Sequence, residues 1–260
     1  MPSFLIYLLV FLLGICVGSF LNVCIFRLPS EDSITNPPRS VCPHCRNSIP
    51  FYDNIPLFSY FWLRGKCRSC GGKISFRYPM VELMGGIFAL AIFRHYGFSL
   101  PALIYFVLIC SLVVITFIDL DYGIIPDVIT LPGIPIGLAA SLVLPSISIF
   151  NALLGILAGG GTLFMVAWIY SLITGKEGMG GGDIKLLAML GPFLGWKGVF
   201  FTIFAASVVG MLAGIIEMIR HREGMKLAIP FGPFISIGAI LYIFYGPGLM
   251  TWYWNFIRAV

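Results

Sequence analysis

Asp119 and Asp183 stand where an apolar helix has no ordinary use for a carboxylate. Asp119 lies one residue beyond the apolar run Leu100 to Ile118, and Asp183 opens another run directly behind Gly178-Met179-Gly180-Gly181-Gly182. An acid truly inside hydrocarbon costs about 2.5 to 3.5 kcal/mol. Two carboxyls a few ångströms apart cannot both ionise easily, so such a pair shares one proton near neutral pH. One acid then activates water while the other protonates or polarises a carbonyl. The titration belongs to the dyad rather than to either residue. The glycines suit this chemistry: a residue without a side chain lets an extended peptide backbone approach, and glycine can take positive φ. Each acid also has a plain reading, Asp119 as an interface residue and Asp183 as part of a glycine-rich turn entering a helix. A phosphate loop fits poorly, because that pattern needs Gly-Lys-Ser/Thr and a preceding strand. Of the neighbouring acids, Asp121 is expected to face water and Asp127, after Pro126, to act as a helix N-cap. The histidines, His44, His95 and His221, are scattered and form no nucleophile–base set.

The second chemical pattern is Cys42-Pro43-His44-Cys45 followed, after 21 intervening residues, by Cys67-Arg68-Ser69-Cys70-Gly71-Gly72. Two Cys-x-x-Cys knuckles at this separation match a structural tetrathiolate zinc site with Cys42, Cys45, Cys67 and Cys70 as ligands. Four thiolates leave no open coordination position, so the Zn2+ would be structural, with His44 solvated between ligands. The rival is a pair of disulfides or a redox pair, which a reducing cytoplasm disfavours. Cys16, Cys24 and Cys110 fall in apolar runs and read as packing residues.

The elements that must hold these groups are membrane helices. Of 260 residues, 59% are hydrophobic and 10% charged, against about a quarter charged in soluble domains. Apolar runs near the roughly 20 residues that cross a bilayer occur at Phe4–Phe26, Met80–Tyr96, Leu100–Ile118, Val128–Leu144, Ile149–Ile173, Val199–Ile219 and Leu227–Phe244, with a shorter one at Ile184–Leu194. They are too continuous for barrel strands. The expected fold is all-α, a polytopic transmembrane helical bundle of about eight spans with one small zinc-binding cytoplasmic domain. Residues 1–26 form the first helix, 27–79 the tetracysteine domain and 80–260 the membrane core. No cation precedes the first run, and no Ala-x-Ala ending follows it, so it is expected to persist as a membrane helix. Arg27 places its far end in the cytoplasm.

Alternation from there puts Arg27, Arg39, Arg46, Arg64, Lys66, Arg68, Lys73, Arg77, Lys176, Lys185, Arg220, Arg222 and Lys226 on the cytoplasmic side and Arg94, Lys197 and Arg258 outside. Asp119 and Asp183 then share the cytoplasmic face. The net charge of +5 reflects this orientation and contact with anionic lipid, with no need for nucleic acid. The 27–79 segment is too small to bury a core unaided. No internal repeat is evident.

Gly180-Gly181-Gly182-Asp183 is similar to the Gly-x-Gly-Asp signature of membrane aspartyl proteases. The longer Gly178 to Leu187 string resembles the type IV prepilin peptidase family, long form with a cysteine-bearing loop. The likeness runs in order through Gly18-Ser19-Phe20-Leu21-Asn22-Val23, Arg27-Leu28-Pro29, Asn54-Ile55-Pro56, Arg64-Gly65-Lys66-Cys67, Arg77-Tyr78-Pro79 with Val81-Glu82, Ile118-Asp119 with Pro126-Asp127, and Pro230-Phe231-Gly232-Pro233-Phe234. The resemblance implies catalytic roles for Asp119 and Asp183. It implies an enzyme of the bacterial inner membrane that removes the leader from type IV prepilins or pseudopilins and then methylates the new N-terminus with S-adenosyl-L-methionine. Gly65 is the position it suggests for the methyl donor. Two other classes stand beside it: a proton or ion transporter relaying through Asp119, Asp183, Glu82 and Glu217, and a zinc-organised scaffold without chemistry. A relay should spread its acids through the bilayer depth, whereas the topology gathers them at one face. Peptidase alone, without methyl transfer, is the narrower alternative.

Overall fold

The computed structural model describes residues 2–30, 40–175, 180–221 and 230–259. Arg39, Lys176, Gly178, Met179, Arg222 and Lys226, used above for charge and motif, lie outside the described residues. Helices dominate: α1 (Pro2–Arg27), α2 (Phe58–Trp62), α3 (Arg77–Tyr96), α4 (Leu100–Tyr122), α5 (Asp127–Ser141), α6 (Ile149–Thr174), α7 (Gly181–His221) and α8 (Gly232–Ala259). Among the described residues no strand forms beyond two isolated bridges. By length and composition α1, α4, α6 and α7 can each cross a membrane, and apolar stretches of α5 and α8 are shorter. α3, which carries Glu82, Arg94 and His95, is less apolar. The protein is an integral membrane protein built as a helical bundle. Two compact units follow one another along the chain, Met1–Val114 and Ile115–Val260.

In the first unit α1 and α3 form an antiparallel pair with glycine at the seam. A Cβ on Gly14 would lie 2.6 Å from Ala89 Cβ, and one on Gly18 2.7 Å from Glu82 Cα. One turn further on, Asn22 Nδ2 donates to the Tyr78 carbonyl at 3.1 Å. Small residues let membrane helices approach this closely where no hydrophobic force drives them together. The cysteine-bearing segment joins the paired ends of these two helices.

In the second unit the long α7 packs first on α6, through Gly191 against Gly155 and Leu187 against Gly159, and later on α8, through Gly198 against Tyr242 and Gly238 against Thr202. Both ends of α7 return to the start of α8. Asp183 lies within electrostatic reach of Asp119, whose carboxylate takes the Gly232 N–H, while Gly210 abuts Phe234. A straight 41-residue helix would be about 60 Å long and could not do this. The turning point is Gly195, at φ 68° and ψ 171°, a region that only glycine enters freely. The expected sixth and seventh spans are therefore two limbs of one helical hairpin with a single-residue corner. Gly195→Ala should cost about 1 to 3 kcal/mol and lower the thermal midpoint of the detergent-solubilised protein. An unchanged midpoint would show that the corner tolerates a side chain.

Candidate active site and metal centre

Asp119 lies in the last turn of α4, where its carbonyl accepts the Gly123 N–H at 2.8 Å. Its side chain is buried. Oδ2 accepts the backbone N–H of Gly232 at 2.9 Å, the first residue of α8 and the centre of Pro230-Phe231-Gly232-Pro233-Phe234. Asp183 sits in the first turn of α7, half-buried. The Ile125 side chain stands between the two arms, facing both Gly182 and Gly232. Four segments thus converge: the end of α4, the connection to α5, the start of α7 and the start of α8.

The glycines here serve space rather than unusual torsions. None of Gly180, Gly181 and Gly182 has positive φ, contrary to the conformational freedom expected above. Gly181 and Gly182 already belong to the helix. Among the described residues nothing lies within 4 Å of where a Cβ on Gly180 or Gly181 would point, whereas one on Gly182 would sit 2.9 Å from Ile125 Cβ.

Asp127 is not the N-cap. Pro126 occupies that position without a side-chain cap bond, and Asp127, the first helical residue, takes the Lys185 ammonium at 2.7 and 2.8 Å. This exposed pair ties the start of α5 to the start of α7, two residues from Asp183. Asp121 is exposed, as expected.

Gly232 is the contributor that sequence reasoning named only within a motif. A Cβ there would stand 2.6 Å from Asp119 Oδ2, so any side chain displaces the carboxylate or α8. A shift of about 1 Å in a catalytic group can cost on the order of a hundredfold. Gly232→Ala should therefore reduce turnover by roughly ten- to a hundredfold in an inserted protein, and a wild-type rate would remove Gly232 from the site.

In the first unit Cys42, Cys45, Cys67 and Cys70 present sulfurs all within 4.8 Å of one another. Cys42 Sγ and Cys70 Sγ are 3.9 Å apart, close to the roughly 3.8 Å edge of a tetrahedron with Zn–S bonds of about 2.3 Å. A disulfide would need about 2.05 Å. The four sulfurs are close enough together that they could hold a metal ion. N–H groups of Cys70 and Ser69 directed at Cys67 hold its thiol down to about 7, while burial and the neighbouring thiols push that of Cys70 up to about 11, so the sulfurs do not ionise alike.

The two knuckles are a structural repeat with an offset of 25 residues, which the sequence alone did not reveal. Val41 pairs with Ser48 as Lys66 does with Lys73. Cys42 N–H donates to Asn47 as Cys67 N–H does to Gly72, and Ile49 N–H donates to Ser40 as Ile74 N–H does to Gly65. Arg46, at φ 57°, stands where the second knuckle has Gly71, at φ 69°. Between the knuckles, Arg68 clamps Asp53 bidentately at 2.6 and 2.7 Å and holds its carboxyl below the usual range. Gly65 has its own conformational reason, φ 66° beside the Tyr60 hydroxyl.

Glu82, weighed above as a relay acid and as part of the Val81-Glu82 motif, anchors this segment. Its Oε2 accepts the Leu57 N–H at 2.7 Å and its carboxyl is bonded to the Ser19 side chain, joining α1, α3 and the cysteine segment. Leu57 is held at φ 62° and ψ −52°, a strained conformation for a residue with a side chain.

Residues 12–96 match the bacterial peptidase A24 N-terminal domain, and residues 106–215 match the type IV leader peptidase family. The chain is 38% identical to the prepilin leader peptidase/N-methyltransferase of Aeromonas hydrophila, over 96% of this chain and 94% of that protein. It is also 38% identical to proteins of the same name from Stutzerimonas stutzeri, over 95% and 93%, and from Pseudomonas aeruginosa, over 94% and 92%. No solved structure matches the chain. With both halves matched in order and relatives similar over nearly their full length, the chain belongs to the type IV leader peptidase family.

Proposed function

We propose that this chain is a prepilin leader peptidase and N-methyltransferase of the bacterial inner membrane, cutting at the cytoplasmic face with Asp119 and Asp183. The observation that carries the catalytic assignment is the convergence of both acids on the start of α8, one of them buried and fixed by the Gly232 N–H. Because Asp119 Oδ2 already accepts that bond, a shared proton resides on its other oxygen or on Asp183. One carboxylate draws a proton from water as the water adds to the scissile carbonyl. The other donates its proton to the carbonyl oxygen, giving a gem-diol; on collapse the first acid passes the proton taken from water to the departing amine, the second recovers its proton from a gem-diol hydroxyl, and the dyad ends with the one proton it began with. Among the described residues the space beside Gly180 and Gly181 is free of other side chains, which suits an extended substrate backbone.

Orientation rests on charge. In the first unit Arg27 and Arg77 share one end and Arg94 the other. In the second, Lys185 lies at the aspartate end and Lys197 at the Gly195 corner. The positive-inside rule then faces the aspartates to the cytoplasm. Residues 27–79 act as a zinc-held domain, with Cys42, Cys45, Cys67 and Cys70 as the ligands. S-adenosyl-L-methionine, when bound, supplies an electrophilic methyl group to the amine that cleavage releases. We place its binding on the 27–79 segment, the longest polar stretch of the chain and able to form a pre-organised concave site once metal-braced. The turn role of Gly65 means that its substitution reports on the knuckle as well as on the donor.

The test is mass spectrometry of a tagged prepilin incubated with the purified protein in lipid and a labelled methyl donor. Loss of the leader and gain of one labelled methyl are expected. An intact precursor would refute the peptidase, and a cut product that never gains label would refute methyl transfer.

A further inference from the structure

α2 is inside out for a water-exposed element. Phe58, Phe61 and Trp62, at the i, i+3, i+4 spacing that makes one helical stripe, are 59%, 68% and 70% exposed, while its one buried residue is the hydroxyl-bearing Ser59. Ser59 faces inward because its Oγ donates to the Tyr52 carbonyl and accepts from the Ile55 N–H. Phe58 and Trp62 stack on each other at 5.7 Å, so the stripe is a fixed aromatic surface. Phe76, 65% exposed, continues it through Tyr60, whose ring it meets edge-on. Arg77 then begins α3. Arg64, Lys66 and Lys73 are exposed nearby.

Three features select what covers this stripe. It is continuous with the end of the α1–α3 pair, where α1 is long and apolar enough to cross the bilayer. Its aromatic rings combine an apolar body with polar edges, the composition favoured at the membrane–water boundary. The cations beside it complement an anionic leaflet, each worth about fivefold in surface occupancy near such a membrane. We infer that α2 is a membrane-interface anchor, lying in the headgroup layer of anionic phospholipid with Phe58, Phe61 and Trp62 inserted and Arg64 and Lys66 on the lipid phosphates. The cysteine segment is thereby held down on the bilayer rather than projecting from it.

The full-length protein with Trp168, Trp196, Trp252 and Trp254 replaced by phenylalanine leaves Trp62 as the only tryptophan. It is reconstituted into phosphatidylglycerol or phosphatidylcholine vesicles carrying a headgroup-level spin label, with zinc content checked in every sample. In phosphatidylglycerol the lipid label should quench Trp62, and aqueous acrylamide should quench it several-fold less than free tryptophan. Arg64→Gln with Lys66→Gln should shift the balance back toward acrylamide by roughly twentyfold in occupancy, at about fivefold per cation, with little change in phosphatidylcholine. Quenching by acrylamide and not by lipid would overturn the inference, because the stripe would then be solvated. Protection from both would overturn it equally, because protein would then cover the stripe. Lipid quenching that ignores both lipid charge and the two substitutions would refute the anionic recognition.

Discussion

Replacing Asp119 or Asp183 with asparagine should each lower the rate of leader cleavage by at least about a hundredfold and up to ten-thousandfold, the range that positioned acid–base groups supply. The substitution keeps shape and hydrogen-bonding capacity while removing the exchangeable proton. The Gly232 N–H can still be accepted by an amide oxygen at position 119, so the fold around α8 should persist and the variant should insert normally. Asp121→Asn and Asp127→Asn serve as controls. The Asp127–Lys185 pair is exposed, and such pairs are worth only about 0 to 1 kcal/mol, so its loss should change the cleavage rate by a few-fold at most. Time courses with a tagged prepilin separate these outcomes, and a wild-type rate from either Asp119→Asn or Asp183→Asn would end the assignment.

The second large effect concerns the cysteines. One zinc ion per chain is expected by elemental analysis, and serine at any one of Cys42, Cys45, Cys67 or Cys70 should remove it. Structural zinc binding is worth about 10 to 16 kcal/mol to small domains. The short α2 and the knuckle bonds have no comparable core to fall back on, since most large side chains around α2 are exposed. Limited proteolysis should then cut between residues 27 and 79 while the membrane helices stay intact. Methyl transfer should be lost from a protein that still cleaves, because the aspartates belong to other segments. The same separation is expected when the segment is replaced by a flexible bridge. A metal-free wild type with blocked thiols would favour disulfides. Normal methylation by a bridge variant would move the donor site elsewhere.

The chemistry was more legible in the sequence than the contacts that tune it. Asp119 and Asp183 stood out because an acid interrupts an apolar run there, and the four cysteines because thiolate spacing is dictated by a metal's geometry. Helix placement followed from hydrophobicity, since backbone bonding in lipid leaves little alternative to helices. Three features were hidden. The Gly232 contact joins a backbone N–H to a carboxylate 113 positions away, and no periodicity encodes such a pairing. The Asp127–Lys185 pair, 58 positions apart, turned an expected cap into an inter-helix tie for the same reason. The 25-residue repeat was masked because Cys, Cys, Ile and Phe at 42, 45, 49 and 51 recur at 67, 70, 74 and 76 while most residues between them differ. What the knuckles share is backbone hydrogen bonding, to which many side chains are indifferent.

Asp119 and Asp183 are expected to work as one unit, and a double-mutant cycle on cleavage rate measures their coupling. Groups that act together give strongly non-additive losses. Once one carboxyl of the dyad is an amide, the other has no proton partner, and its removal should cost little more. Asp119→Asn, Asp183→Asn and the double variant are therefore predicted to converge on one residual rate within a few-fold. Losses that multiply, with the double variant slower than either single by the full second factor, would contradict a shared site.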